Sequence, residues 1–433
     1  MTLPRTPAEA LEFFSRLSPS SIKLGLERVW AALEALGHPE RSYPALHVAG
    51  TNGKGSTCAF ASAALHAAGH RVGLYTSPHL VRVNERIRVD GVEIEDEVFG
   101  QRILEVLERH PDAPHLTYFE FGTVVAFWHF AREAVDVAVV EVGLGGRLDA
   151  TSACQPLVTA ITPVSFDHME YLGNTLGAIA GEKAGILKPG VPVVVSRQEP
   201  EALAAIERRA GEVGAPVLLE GRDFSLVARS EGGLAYEGPG LSLEGLSLGL
   251  RGSHQLQNAA VAVAALGQLS SRGVLVRPEA LRAGLAGARW PGRLEELGGQ
   301  PPVLLDGAHN PAGVQVLLEG LRYLYPGRRI HCVFGVVADK DRGPMLRALL
   351  PTCTSVHLTP LDTPRSLVPE AYLDEARALC ADVSAYASLD AALAGARGRA
   401  ASGDVLLCTG SLFLIGSVRA RLGGNLGALH HSS

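Results

Sequence analysis

Lys54, Ser56, Glu141, His168, Lys183, Asp306 and His309 are the side chains of this chain whose types and settings could do chemistry. Lys54 and Ser56 belong to AGTNGKGST, Ala49 to Thr57. An apolar run, Ala45 to Ala49, precedes it and a small-residue helical run, Cys58 to Ala68, follows. Strand, glycine loop and helix in that order cradle a nucleotide phosphate: backbone N–H groups point inward, the helix N-terminus adds positive field, and Lys54 supplies a point charge. Gly55 stands between Lys54 and Ser56, whereas the usual P-loop places the hydroxyl directly after the lysine. A lone glycine turn before a helix is often only a tight turn; strand, GKGS and helix together favour phosphate.

Glu141 closes VDVAVVEV (135–142), an apolar run suited to a strand buried on both faces. A P-loop enzyme places there the acid that holds magnesium, directly or through water; the simpler reading is a carboxylate at a strand end. The following GLGGRLD (143–149) has glycines that permit close backbone approach, and Arg147 with Asp149 could be an ordinary surface ion pair. His168 lies in a loop after a strand, a setting in which histidine is more often structural than a ligand. Lys183, in GEKAGILKPG, cannot ligate a metal as an ammonium. It could bind phosphate, or become an anionic oxygen ligand if its amine captured carbon dioxide as a carbamate. In LLDGAHNPAG, Asp306, His309 and Asn310 fall between a strand and a helix, where open α/β sheets bind ligands. Asn310-Pro311 also reads as a helix N-cap with proline at the first position. CTGSLFLIG (408–416) puts Gly410 and Ser411 at a helix start, a place for a carboxylate.

The elements that must position these groups alternate. Helices are expected at 7–16, 22–37 (with Gly25 against the latter), 95–109, 118–133, 175–187, 201–213, 254–269 and 278–288. Strands are expected at 72–75, 135–142, 157–161, 191–195 and 216–219, with a hairpin at Asp90-Gly91 and further hairpins across 222–250. The pattern implies a mostly parallel, doubly wound sheet with an antiparallel annex. ARWPGRLEELGG (288–299) marks a change, and a second α/β pattern follows: strands at 303–305, 330–334, 354–358 and 404–408, helices at 311–323, 343–349, 369–379 and 411–421. The DKD run (339–341) reads as a solvated loop and 423–433 as a frayed tail. The domains expected are 1–295 and 296–433.

A length of 433 residues allows two or three domains and a sizeable core. A net charge of −6 with no basic block excludes a nucleic-acid partner. No apolar run reaches the ~18 residues of a membrane span. The N-terminus lacks a signal-peptide pattern, and the six scattered cysteines never form CxxC, so a reducing cytoplasm is the expected setting.

Nine motifs occur in order: GTNGKGS (50–56), TSPHLVRVNERIRVDG (76–91), EVGLGGRLDAT (141–151), DHMEYLG (167–173), GEKAGILK (181–188), HQLQNAA (254–260), WPGRLE (290–295), DGAHNP (306–311) and TGSL (409–412). Together they closely resemble the folylpolyglutamate synthase family, often bifunctional with dihydrofolate synthase, of the Mur ligase superfamily. The resemblance spans nearly the whole chain, and the second and third motifs are its most specific part. It implies a P-loop-containing, Mur-ligase-type ATPase domain followed by a smaller Rossmann-like α/β domain. It also implies a cytoplasmic, monomeric ligase of ATP, L-glutamate and folates or dihydropteroate. ATP would convert a carboxylate to an acyl phosphate, glutamate's amine would attack it, and amide, ADP and phosphate would result. Phosphorylation supplies the leaving group a carboxylate lacks, so the protein's work is positioning and charge neutralisation.

By this resemblance Asn52, Gly53, Lys54 and Gly55 would hold the ATP phosphates with Ser56 beside them, and Asn258, Arg293 and Asp306 would also touch the nucleotide. Ser77, Glu141 and His168 would ligate magnesium, with Lys183 as a carbamate near the second of two ions. His309 and Ser411 would sit near the γ-phosphate and incoming glutamate; Lys183, His309 and Asp306 would be catalytic. Thr117, Phe119, Asp149 and Ala150 would line the pterin pocket, with Ile22, Lys23 and Leu24 closing over it. Phe119 would stack on the ring and Asp149 would accept from its N–H groups. At position 23 the chain has Lys where several bifunctional members have Asp. Two other readings compete. A Mur-type ligase of UDP-sugar peptides would carry about a hundred residues of UDP-binding domain before the loop. A P-loop regulator without ligase activity would not need DGAHNP and TGSL.

Overall fold

The computed structural model describes residues 3–17, 23, 25–229 and 232–422. Ile22, Leu24 and the tail 423–433 lie outside the described residues. The chain divides into two compact units. The first runs to Gly249 and resumes over Gln255–Arg289; the second comprises Leu250–His254 and the chain from Trp290 onward.

The first unit opens with α1 (Pro7–Ser15) and α2 (Glu27–Ala35). The expected helix at 22–37 starts only at Glu27, because Gly25 sits at φ +124°, outside helical geometry. Next come β1 (Ala45–Ala49), α3 (Lys54–Ala67), β2 (Val72–Tyr75), β3 (Ile87–Val89), β4 (Val92–Glu93), α4 (Asp96–Arg109), α5 (Tyr118–Arg132), β5 (Val137–Glu141), β6 (Pro156–Ile161), α6 (Met169–Leu172) and α7 (Leu176–Ala184). The unit continues with β7 (Val193–Val195), α8 (Pro200–Val213), β8 (Val217–Leu219), an antiparallel sheet of β9 (Ser225–Ala228), β10 (Leu234–Gly238) and β11 (Leu241–Leu246), then α9 (His254–Ser270) and α10 (Pro278–Gly287). The main sheet has the order β4-β3-β2-β5-β1-β6-β7-β8. β2, β5, β1 and β6 are parallel neighbours, so their C-terminal loops share one edge. All five residues of β1 and of β5 are buried, as strands covered on both faces require. At Gly284 of α10 a Cβ would overlap the α3 backbone at Ala64, so glycine lets these helices close on each other.

The second unit has β12 (Glu295–Glu296), β13 (Val303–Leu305), α11 (Pro311–Leu324), β14 (Ile330–Phe334), α12 (Arg342–Leu349), β15 (Ser355–Leu358), α13 (Leu373–Arg377), β16 (Val383–Ala385), α14 (Leu389–Arg399), β17 (Val405–Thr409) and α15 (Leu412–Leu422). Its sheet order is β12-β13-β17-β14-β15-β16. β12, β16 and α14 were not expected from the sequence. β12 and β16 have two and three residues, too few to establish a period, and α14 is Ala/Gly-rich with a weak apolar face. The helix expected at 369–379 is a 3₁₀ turn, Pro369–Tyr372, leading into the short α13. All six cysteines are free. Among the described residues no helix is long and apolar enough to cross a membrane.

Candidate active site

In the first unit the loop after β1 is fixed to the loop after β6. Thr51 and Asn52 N–H groups donate to the Pro163 carbonyl at 2.9 and 3.3 Å. Thr51 Oγ1 donates to the Ser165 carbonyl at 3.0 Å and accepts from Ser165 N–H at 3.1 Å. Gly50 (φ +145°) and Gly53 (φ +88°) occupy backbone regions that L side chains rarely adopt. A Cβ at Gly50 would fall on Thr162 Oγ1, and one at Gly53 on Asn258 Oδ1. The expected residue Asn258 is thus packed against Gly53. Gln255 went unremarked in the sequence: its Nε2 donates to Ser56 Oγ at 3.3 Å and its Oε1 accepts from Asn258 Nδ2 at 2.9 Å. Its spacing of three from Asn258 on one helix was the available signal.

Lys54 folds back, donating to the Gly50 and Thr51 carbonyls at 3.2 Å each. Lys183, near the end of α7, donates to the same Gly50 oxygen at 2.9 Å. Burial first, and then the charge of Lys54, pull the Lys183 amine down to about 7 against the opposing pull of Asp167 and Asp149. Glu141, buried at the end of β5, accepts from the Ser77 backbone N–H at 3.1 Å. His168 takes a left-handed backbone (φ 50°), and its side chain stays 41% exposed with Nε2 3.8 Å from Asp167 Oδ2. Among the described residues no three His, Cys, Asp or Glu side chains gather to hold a metal.

The residues expected around a pterin form a neighbouring network. Thr117 caps α5, and its N–H donates to Glu120 Oε2 at 2.8 Å. Arg28 of α2 donates through Nη2 to Glu120 Oε1 at 2.6 Å and to the Lys23 carbonyl at 3.0 Å. Phe119 lies beside Tyr75 (ring centroids 6.1 Å apart) and covers Gly143, where a Cβ would meet the ring. Ala150 is buried. Asp149 is buried and saturated by its own loop. Oδ2 accepts from Gly143 and Leu144 N–H at 3.1 and 2.8 Å, and Oδ1 from Thr151 N–H at 3.0 Å and from the Thr151 hydroxyl. The alternative reading of Arg147 and Asp149 as a surface ion pair is not met among the described residues; Arg147 pairs with Glu182 at 2.9 Å. Burial raises the Asp149 carboxyl, against these hydrogen bonds.

In the second unit the loops after β13 and β17 meet, Gly410 N–H donating to the Ala308 carbonyl at 3.1 Å. Asp306 is buried and accepts from Leu294 N–H at 3.0 Å and Ala308 N–H at 2.9 Å. Burial raises its carboxyl and Arg293 opposes this. Gly307 leaves room for Arg293, whose Nη1 a Cβ there would strike. His309 Nδ1 lies 2.7 Å from the Gly307 carbonyl, which can only accept, so Nδ1 carries the proton. Asn310 caps α11 through Gly313 N–H at 2.7 Å. Ser411 is buried and its hydroxyl accepts from Phe413 N–H at 3.2 Å.

The Mur ligase middle domain matches residues 48–266, and the Mur ligase glutamate ligase domain matches 292–412. A Bacillus subtilis dihydrofolate synthase/folylpolyglutamate synthase is 38% identical, over 93% of this chain and 95% of its own length. A Lacticaseibacillus casei folylpolyglutamate synthase is 36% identical, over 92% and 94%. The structure of E. coli FolC in complex with DHPP and ADP superposes with a TM-score of 0.89 at 34% identity, covering 98% of this chain and 99% of that one.

Proposed function

Because the chain belongs to the folylpolyglutamate synthase/dihydrofolate synthase family of Mur ligases, we propose that it joins L-glutamate to the carboxylate of folates, and of dihydropteroate, with ATP. The observation that carries this reading is the assembly at one sheet edge of the glycine loop, Lys54, Ser77–Glu141 and a buried Lys183 of lowered basicity. Asn52 to Ser56 and Asn258 hold the ATP phosphates in the first unit; Arg293 and Asp306 serve the nucleotide in the second. The backbone amides of the loop and the α3 N-terminus neutralise charge as the phosphoryl group moves to the substrate carboxylate. His309, with its proton fixed on Nδ1 by Gly307, serves the incoming glutamate, and Ser411 lies at a helix start suited to its carboxylate.

Ser77, Glu141 and His168 offer two oxygens and an imidazole for magnesium, and the Ser77 N–H bond orients Glu141. Magnesium supplies charge neutralisation to phosphoryl oxygens when bound. Carbon dioxide adds only to a neutral amine, and an amine lowered to about 7 is substantially neutral at physiological pH. Lys183 is therefore suited to carry a carbamate, which would give a second ion the anionic oxygen that hard cations favour. Thr117, Phe119, Ala150 and the 22–24 segment receive the pterin. Asp149 serves that pocket by holding its loop, since its acceptor directions are already filled. The chain works as a cytoplasmic monomer, which sedimentation with substrates present would check.

The test is incubation with ATP, L-glutamate and tetrahydrofolate, or dihydropteroate in place of the folate. Glutamate-dependent ADP and a product heavier by one glutamyl residue are expected. Absence of both with either acceptor would overturn the reading.

A further inference from the structure

Three arginines lie close together in the segment before β4, and they are treated differently. Arg82 pairs with Asp96 at 2.8 Å and Arg88 with Glu93 at 3.3 Å. Arg86 forms no ion pair among the described residues; its Nε donates to His79 Nδ1 at 2.9 Å, and its guanidinium lies 5.2 Å from the Tyr118 ring centroid. The adjacent acid makes no hydrogen bond to it among the described residues. Glu85 spends both oxygens on Leu80, Val81 and Arg82 N–H groups at 2.7 to 2.8 Å. Because His79 Nδ1 accepts, its proton is on Nε2. A guanidinium fork with its two Nη groups uncommitted and a second N–H donor therefore stand side by side.

They stand at a cavity. Arg86 lines a small inner recess, and His79 lines an outer cavity of about 370 Å³; the two share Phe14, Val83 and Tyr118 as walls. Phe14 and Tyr118 stack at 4.6 Å, so the floor is a rigid aromatic surface. Asp96, on the outer rim, is already engaged by Arg82 and by Asn84 Nδ2 at 2.8 Å. The apolar part of the lining, Leu11, Phe14, Val83 and Tyr118, beside a planar two-pronged cation suits an aromatic body bearing a carboxylate, with Ser15, Asn84 and Asp96 as the polar remainder.

We infer that Arg86 and His79 form a subsite for the spectator carboxylate of a glutamyl-bearing folate, with the benzoyl ring against Phe14 and Tyr118. The inference rests on the folate reading above. A folate ending in glutamate carries two carboxylates. One is activated and consumed; the other remains an anion, which must be paired if it is taken out of water. Dihydropteroate has only the reacting carboxylate and makes no call on this pair. His79 follows Ser77 by two positions, so the subsite adjoins the proposed magnesium edge.

The test is calorimetric binding to the full chain, which needs no turnover. Tetrahydrofolate is compared with its amide at the spectator carboxylate, for wild type, Arg86→Gln and Arg86→Lys. Wild type should prefer the free acid by about tenfold or more. Arg86→Gln should bring that preference below about twofold and Arg86→Lys should keep part of it. Circular dichroism identifies a variant that fails to fold, and Arg86→Lys then carries the comparison. An unchanged preference in Arg86→Gln, or in a folded Arg86→Lys if Gln does not fold, overturns the subsite, as does a wild type that binds acid and amide alike. Failure of the ligase reading registers separately, as no glutamate-dependent ADP from wild type.

Discussion

Lys183 and Lys54 converge on one oxygen, the Gly50 carbonyl, at 2.9 and 3.2 Å. Burial disfavours the Lys183 ammonium, and the charge of Lys54 on the same oxygen lowers its basicity further. Its ordinary value is 10.5 and its folded value about 7, so the unfolded chain binds the extra proton between those values. This site's cost to stability is full below pH 7 and is relieved as pH rises from 7 toward 10.5. The neutral fraction that can capture carbon dioxide grows over the same rise. With bicarbonate removed, activity should fall and be restored by added bicarbonate more completely at pH 8 than at pH 6. Lys183→Ala should lose about a hundredfold in kcat and regain part with a short carboxylate. A fully active, bicarbonate-insensitive Lys183→Ala would end the carbamate proposal.

Gly53→Ala faces two penalties, a left-handed backbone costing about 1–2 kcal/mol and collision with Asn258 Oδ1. ATP affinity should drop by more than about tenfold with the circular dichroism spectrum unchanged. Calorimetry returning a wild-type Kd would show that the loop does not need this geometry.

Asp149→Asn puts an NH₂ group opposite N–H donors now received by a carboxylate. Hydrogen bonds to a charged acceptor are each worth roughly 1.5–3 kcal/mol, and urea unfolding should show a loss of about 3 kcal/mol or more. A neutral effect would mean that the loop is held by something other than this carboxylate.

His47, wholly buried on β1, is held down to about 3 by burial and by the charge of Lys188, and Nε2 donates to Thr151 Oγ1 at 2.9 Å. The unfolded histidine binds a proton near 6.5 and the folded one does not, so stability should fall as pH drops from 6.5 toward 3. His47→Gln keeps a donor and cannot titrate. It should flatten the curve by up to about 1.4 kcal/mol per pH unit, and an unaltered slope would assign the loss to other groups.

His309→Ala should raise the glutamate KM about tenfold with the ATP KM unchanged. It is the cleaner probe of the second unit. Asp306→Ala would strip acceptors from two backbone N–H groups and confound stability with activity. A rise in the ATP KM alone would move His309 to the nucleotide.

Much of this was legible in the chain itself, where chemistry is local. Glycines at 50 and 53 are required by backbone angles, Asn310-Pro311 by an N-cap, and Glu141 by the end of a strand; each shows in a few adjacent residues. Motif order carried the family. Nothing local could give Lys183 a basicity near 7, bring Gln255 to Ser56 or join Arg28 to Glu120. Those properties depend on burial and on partners far away in the chain, and only the folded sheet edge and its packed helices bring them within hydrogen-bond distance.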